Sequence, residues 1–566
     1  MNWLDWLTML GTLLFIAIYG TWKTRKNKNI KSYLQGDKDM KWVTIGLSVM
    51  ATQASAITFI STPGQAFESG MGFVQNYFGL PLALIIVSAV FIPIYYKLNV
   101  FTAYEFLESR FDLKTRLLAA FLFLFQRGLA AGITIYAPAI ILSTTLGWNL
   151  SVTIVLVGLV VVIYTVSGGT KAVSLTQKWQ MGVIMLGMFI AFFIIINSLP
   201  DYIGFLDAVD IAGRMGKLDA VNFSFDPTER YTFWSGITGG LFLALSYFGT
   251  DQSQVQRYLG GKSVTESRMG LMFNAVLKIP MQFFILFVGV MVFVFYQFES
   301  HEVLFDKTNL ENLRQSKYSE EISFHEDEYA KNHQIKQEEI RELIKARNDG
   351  NAELLSEKQE SIKELDLNSK EIRANVKQIL IEEYPEETAK DSDFVFLTFI
   401  MNYLPHGIIG LLLAVIISAA MSSTAGELNA LGSTTVVDFY KRLMKSEASD
   451  THYVIASRLL TALWGILAIM FALFARLLEN LIEAVNILGS LFYGTILGIF
   501  LVAFFFKRIK GSGVFSSALL AQLFVFILYI FFEDVVAYLW YNVIGCLLVI
   551  FISHFFLFLT YRSRAK

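Results

Sequence analysis

Ala51-Thr52-Gln53-Ala54-Ser55-Ala56-Ile57-Thr58 lies inside a long apolar stretch, yet it is made of small and hydroxyl-bearing residues. Ser418-Ala419-Ala420-Met421-Ser422-Ser423-Thr424 has the same character far along the chain. Hydrocarbon offers a polar group no hydrogen bond, so oxygens gathered at membrane depth imply a ligand or a water-filled cavity. Taken alone, each run also fits close helix packing, with hydroxyls bonded back to the preceding turn.

The surroundings of both runs are membrane-like. The 566 residues are 54% hydrophobic and 15% aromatic, and their mean hydropathy is +0.51. Thirteen apolar segments fall near 3–22, 42–63, 75–96, 117–145, 150–166, 179–198, 232–250, 271–297, 407–437, 453–475, 482–506, 512–532 and 537–560. Short cytoplasmic loops are rich in Lys and Arg, which tests that count. Lys23, Arg25, Lys26, Lys28 and Lys31 follow the first segment, and basic clusters recur after the third, fifth, seventh, ninth and eleventh. Arg562, Arg564 and Lys566 follow the thirteenth, whereas the loops 64–74 and 147–150 carry no Lys or Arg. The pattern predicts an all-α integral membrane protein of about 13 transmembrane helices, N-terminus out and C-terminus in, embedded in the lipid bilayer of the cell membrane. Asp5 in place of a positive start argues against a cleavable signal.

One region departs from the pattern. Residues 299–393 are polar, with 25 acidic against 14 basic residues, and divide the chain into 1–298 (segments 1–8), the insertion, and 394–566 (segments 9–13). Alternation puts the insertion outside the cell. Ile335-Lys336-Gln337-Glu338-Glu339-Ile340-Arg341 has helical spacing with opposite charges as neighbours, which predicts a solvated helical hairpin.

Other chemistries find little support. Cys546 is the single cysteine, and the six histidines lack metal spacing. No phosphate-binding or hydrolase motif is present, and a net charge of −2 argues against nucleic acid. No protein partner can be identified. Sodium is a hard ion that wants oxygen ligands. In a helix the carbonyl of Ala419 and the hydroxyls of Ser422 and Ser423 lie about one turn apart, and a helical carbonyl keeps a spare lone pair. An unwound Ala51–Ala54 would add carbonyls, as in transporters that place broken helices at the bilayer midplane. With no carboxylate in the cluster, sodium is favoured over a proton.

The ninth segment and its exit, from Ala414-Val415-Ile416-Ile417-Ser418-Ala419-Ala420-Met421-Ser422-Ser423 to Asp438-Phe439-Tyr440-Lys441, resemble the matching helix of the sodium/solute symporter family, which includes sodium/glucose, proline, iodide and multivitamin cotransporters. The resemblance recurs in Thr102-Ala103-Tyr104-Glu105-Phe106-Leu107-Glu108-Ser109-Arg110-Phe111, in Ser167-Gly168-Gly169-Thr170-Lys171-Ala172-Val173 and in Gly249-Thr250-Asp251-Gln252-Ser253-Gln254-Val255-Gln256-Arg257-Tyr258-Leu259. It covers essentially everything outside 299–393. It implies a LeuT-like core of two inverted five-helix repeats, segments 2–6 and 7–11. It also implies one sodium ion held by carbonyls of Ala51, Ala54 and Ala419 and hydroxyls of Ser422 and Ser423. Many relatives carry an acid after a threonine at the entrance to segment six, tied to a second sodium site. This chain reads Thr176-Gln177, so a single ion is expected.

For the solute, Lys278 matches a lysine that sugar-transporting relatives use, and Thr250-Asp251-Gln252 also resembles that branch. Phe233-Trp234 and the Tyr-Glu-Phe-Leu-Glu motif resemble the vitamin and anion branch. Asn486 stands where sugar transporters have a glutamine, Tyr247 where relatives place an aromatic gate, and Gln53 and Asn76 add polar reach. The expectation is sodium-coupled import of a small polar solute, a sugar first, with a carboxylate, vitamin or other organic anion as alternative. A transporter-like sensor is the rival of another class, and a membrane enzyme lacks a converging catalytic set. Finally, Arg127 lies eleven residues past Arg116 and Glu427 eleven before Asp438, so both reach similar depth. Unpaired charges there are costly, which predicts that they face one another or a shared aqueous path.

Overall fold

The computed structural model describes residues 1–24, 38–54, 56–385, 391–474 and 481–564, and these are almost wholly helical. Helix α1 (Trp3–Thr24) precedes α2 (Trp42–Gln53) and α3 (Ala56–Ser69), the two halves of the second apolar segment. A 3-10 stretch, Gly70–Tyr77, leads into the third segment, followed by α4 (Leu113–Leu146) and α5 (Leu150–Asn197). The seventh segment begins in π turns, Ser235–Gly239, becomes α6 (Gly240–Thr250), breaks at Asp251 and resumes as α7 (Gln252–Leu259). Helix α8 (Val264–Phe298) completes the first part, and the insertion contributes α9 (Ser319–Asn348) and α10 (Ala352–Glu383). The last part holds α11 (Ile408–Thr434), α12 (Asp450–Phe474), α13 (Leu481–Phe505), α14 (Gly511–Phe531) and α15 (Leu539–Arg564).

Among the described residues nine helical stretches are long and apolar enough to span a bilayer. The expected first and fifth segments appear as the shorter apolar helices Trp3–Phe15 and Leu150–Ile163 by the same measure. Two expectations need correcting. No loop separates the fifth and sixth segments: α5 is helical without interruption for 48 residues, because the 167–178 stretch contains no proline to stop it. Arg257, expected on a cytoplasmic loop, is instead fully buried on α7.

Two segments are thus interrupted in mid-course, the second at Ala54 and the seventh at Asp251, whose ψ is 119°. The seventh is held against the start of the third segment by an approach too close for side chains. A Cβ on Gly79 would lie 2.2 Å from the Leu241 nitrogen, and one on Gly236 would lie 2.0 Å from the Gln75 oxygen. Backbone meets backbone there, Gly79 N–H donating to the Gly236 carbonyl at 3.2 Å. This contact sets Asn76 and Tyr77 against α6. Helices α2 and α3 also lie along α8, with Gly46 under Phe273 and Gly289 under Pro63.

In the insertion, α9 and α10 form an antiparallel pair turned at Gly350, whose φ of +68° favours glycine. Asn351 caps α10 by accepting from Leu354 N–H at 3.1 Å. Leu310, Leu313, Ile322, Ile372, Val376 and Leu380 make a small core separate from the main one. The hairpin is docked on the body: Arg347 pairs with Asp207 and, at 3.4 Å, with Asp210, and Gln337 donates to the Phe298 carbonyl at 2.6 Å.

Gly79→Ala should therefore force the two backbones apart. Overpacking of this kind costs about 1–3 kcal/mol, read as a lower thermal midpoint of the purified protein. An unchanged midpoint would contradict the described contact.

Candidate functional site

Helix α2 ends because Ala54 leaves helical geometry, at φ −94° and ψ 71°, while its N–H still bonds the Met50 carbonyl at 2.8 Å. A helix end leaves its last carbonyls without intrahelical partners. Ala51 is one of these, and the Ser423 hydroxyl of α11 stands 3.5 Å from its oxygen, both residues being buried. That separation is long for an O–H···O bond, whose usual length is about 2.7–2.8 Å. It matches two oxygens sharing a hard cation: ligands at about 2.3–2.6 Å from an ion sit roughly 3.3–3.7 Å apart when at right angles. Ala419 is buried one turn before Ser423, and Ala54 is buried at the break itself. The Ser422 side chain lies outside the described residues.

Gln177 on α5 braces this region. Its amide accepts from Ser48 Oγ at 2.6 Å and donates to Thr52 Oγ1 at 3.1 Å. Thr52 Oγ1 in turn donates to the Ser48 carbonyl at 2.8 Å. A carboxylate could only accept, so this arrangement uses the amide's donor, which an acid lacks. One turn further, Gln180 donates to the carbonyl and hydroxyl of Ser418 at 3.1 and 2.5 Å. Gln180 received no role from the sequence; its i, i+3 spacing from Gln177 was the available signal.

A chamber of about 100 Å³ lies between the two broken segments, and Gln53, Asn76, Tyr247 and Asn486 all line it, with Thr52, Tyr77 and Thr134. Gln53 Oε1, Asn76 Oδ1 and Asn486 Nδ2 have no hydrogen-bond partner among the described residues. The Tyr247 hydroxyl accepts from Gln254 at 2.5 Å. Lys278 does not line the chamber. It is fully buried behind it, its ammonium 5.5 Å from the centre of the Tyr77 ring, so it does not snorkel to an interface.

Arg127 and Glu427 also line the chamber and stand 3.0 Å apart. Arg127 is held on its other side by Asp251, Nε to Oδ2 at 3.1 Å with a second, shorter contact from Nη2, and it donates to the Tyr493 hydroxyl. Tyr493 donates to Asp251 at 2.7 Å, and Thr134 donates to Glu427 at 2.7 Å. One guanidinium between two carboxylates leaves the cluster one formal negative charge. Asp251 and Tyr493 were missed: the aspartate reads as part of a solute motif, and a tyrosine in an apolar segment reads as packing.

The Thr250-Asp251-Gln252 motif is spent on the fold. Thr250 bonds back to the Ser246 carbonyl at 2.8 Å, Asp251 holds Arg127, and Gln252 bridges the Phe101 carbonyl (2.9 Å) and Ala103 N–H (3.1 Å). Trp234 is part-exposed and donates to the Phe223 carbonyl at 3.2 Å. A second ion cluster gives the Thr102–Phe111 and Asp438 motifs a purpose: Arg116 joins Asp438 and Glu108 at 2.7 and 2.8 Å, and Thr102 donates to Asp438 at 3.0 Å; the side chains of Ser167–Val173 lie outside the described residues.

The model of the sodium:solute symporter family matches residues 33–308 and 384–521, leaving out most of the insertion. The chain belongs to this family, whose members are multi-pass membrane transporters rather than enzymes. It is 34% identical over 275 residues to human sodium-coupled monocarboxylate transporter 1, covering 48% of this chain and 45% of that one. It is 33% identical over 289 residues to the rabbit (Oryctolagus cuniculus) sodium-dependent multivitamin transporter, covering 50% and 44%. The matches thus span about half the length of these relatives. A substrate-bound, outward-open Na⁺-coupled sialic acid symporter has the same fold, with a TM-score of 0.74 at 23% identity over 99% of this chain and 98% of that one. The LeuT-like, all-helical fold is therefore established.

Removing one member of the buried triad strands the others, at about 3–5 kcal/mol. Arg127→Gln should lower the unfolding midpoint sharply, and adding Asp251→Asn should recover part of the loss. Charge exchange, Arg127→Glu with Glu427→Arg, should not rescue, because it sets Glu against Asp251. Full rescue by exchange would contradict the three-way arrangement.

Proposed function

We propose that this protein is a sodium-coupled symporter that imports a small carboxylate by alternating access, one sodium with each solute. The observation that carries the proposal is the juxtaposition at the Ala54 break: Ala51 and Ser423 oxygens spaced for a hard cation, beside a chamber walled by Arg127 and Glu427. The expected thirteen spans, N-terminus out and C-terminus in, need a turn between the fifth and sixth segments that the unbroken α5 does not supply, so that count is not carried into the proposal; the membrane we propose is the plasma membrane. The second and seventh segments, interrupted at Ala54 and Asp251, are the proposed counterparts in two inverted halves.

The charge cluster supplies the coupling. A chamber with one formal negative charge disfavours a carboxylate until sodium binds at the neighbouring break. A unit charge about 10 Å away is worth roughly 1.7 kcal/mol at an effective dielectric constant of about 20, or more than tenfold in affinity. Reciprocity requires that the solute tighten sodium by the same factor. Ala51, Ala54, Ala419, Ser422 and Ser423 are the proposed ion ligands, and Gln53, Asn76, Tyr247 and Asn486 the solute contacts. Lys278 acts on the solute only through Tyr77.

The carboxylate replaces the sugar favoured by the sequence. The named relatives carry monocarboxylates and vitamins, Lys278 lies off the chamber, and the Thr250-Asp251-Gln252 motif is internally bonded. Gln53 Oε1, Asn76 Oδ1 and Asn486 Nδ2, without partners among the described residues, are the feature that favours a neutral sugar. Proteoliposomes with an inward sodium gradient decide between them: labelled pyruvate should accumulate and labelled glucose should not, and the reverse overturns the reading. In the same assay Ser422→Ala/Ser423→Ala should raise the sodium concentration for half-maximal uptake about tenfold or more. An unchanged value removes these hydroxyls from the ion site.

A further inference from the structure

A second cavity, of about 330 Å³, lies where the insertion meets the body, and it shares no lining residue with the chamber. Phe67, Glu68, Lys217, Phe293 and Gln297 line it from the body; Lys336, Asp366, Lys370, Arg373 and Lys377 line it from α9 and α10. Five cations therefore converge on it. Their partners are fewer. Asp366 is shared by Lys336 at 3.6 Å and Lys370 at 2.9 Å, Glu68 stands 3.8 Å from Lys377, and Arg373 pairs with Asp391. Lys217 has carbonyls instead of a carboxylate, donating to Phe67 and Glu68 at 2.8 and 2.6 Å at the C-terminal end of α3. Among the described residues, three carboxylates thus face five cations.

The surplus charge is not freely solvated. Lys217 is 5% exposed and Lys336 4%. Burial, reinforced by Lys370 and Lys336, pushes the Lys217 ammonium down to about 8. An uncompensated buried charge is costly, and an anion of matching size relieves the cost. The rings of Phe67, Phe293 and Tyr329 also line the cavity, with the Lys217 ammonium 4.4 Å from the centre of the Phe293 ring.

We propose that this cavity is a binding site for a small oxyanion, its charge met by Lys217, Lys336, Lys370 and Lys377 and an apolar body, where present, by the aromatic rings. The site is independent of which solute the chamber carries. Because Glu68 lies at the end of α3, Lys217 is bonded to the last carbonyls of that helix and the other cations belong to the insertion, a bound anion ties the insertion to the second half of the broken segment.

Equilibrium binding to the purified full-length protein in sodium-free choline buffer tests the proposal, with radiolabelled benzoate and radiolabelled phosphate as separate probes and neutral benzamide as competitor. Saturable binding of either anion, unaffected by benzamide and about tenfold weaker in both Lys370→Gln and Lys377→Gln, is expected. Tight binding of phosphate identifies an inorganic occupant, and binding of benzoate alone an organic carboxylate. No saturable binding of either probe to the wild type, or equal binding in both variants with their helical content intact, overturns the site. Either result leaves the sodium-driven uptake of pyruvate to stand or fall on its own assay.

Discussion

The proposed transport cycle depends on backbone oxygens that have lost their helical partners inside a bilayer. An α-helix crosses hydrocarbon because it satisfies each of its own polar groups, and a break forfeits that protection. At Ala54 the break exposes the Ala51 carbonyl to Ser423 of α11. A cation is the economical partner for such a cluster, because it satisfies several oxygens at once and has no need of donors in a precise fork. Helix α5 braces both partners of the cluster, through Gln177 to α2 and through Gln180 to Ser418 of α11.

The second break is of a different kind. At Asp251 the chain uses a side-chain carboxylate to gather Arg127, Tyr493 and Ser253, so polarity is handled by a fixed protein cation instead of a mobile one. On the proposed assignment the chamber between the two breaks has one fixed charge cluster and one exchangeable charge. Such an arrangement makes solute affinity depend on ion occupancy without a large conformational relay. On the proposed stoichiometry, one sodium carried with one carboxylate moves no net charge, so the sodium gradient alone does the work, about 1.4 kcal/mol for each tenfold ratio.

Much of this could be read from the chain, and the exceptions have physical causes. The runs at 51–58 and 418–424 stand out because hydroxyls are out of place in hydrocarbon. Arg127 and Glu427 could be set at one depth because helical rise is constant. The continuity of α5 was hidden because Gly168, Gly169 and nearby lysines have the composition of a loop, while glycine only weakens a helix without stopping it. The break at Asp251 was hidden by its own motif: residues quoted as a solute signature turn out to hold Arg127, the Phe101–Ala103 turn and the preceding helical turn. Lys278 illustrates a limit of register, since the position alone could not tell a residue in the chamber from one behind Tyr77. The docking of the insertion through Arg347 and Gln337 joins residues more than a hundred and about forty positions apart respectively, which local patterns do not encode.

The most direct test of one sodium per carboxylate is the dependence of sodium-driven pyruvate uptake on membrane potential in proteoliposomes, imposed by potassium and valinomycin at a fixed sodium gradient. The account predicts that the initial rate and the final accumulation are the same at inside-negative and zero potential. Accumulation that rises with inside-negative potential would show that a second positive charge accompanies each solute, and would contradict it.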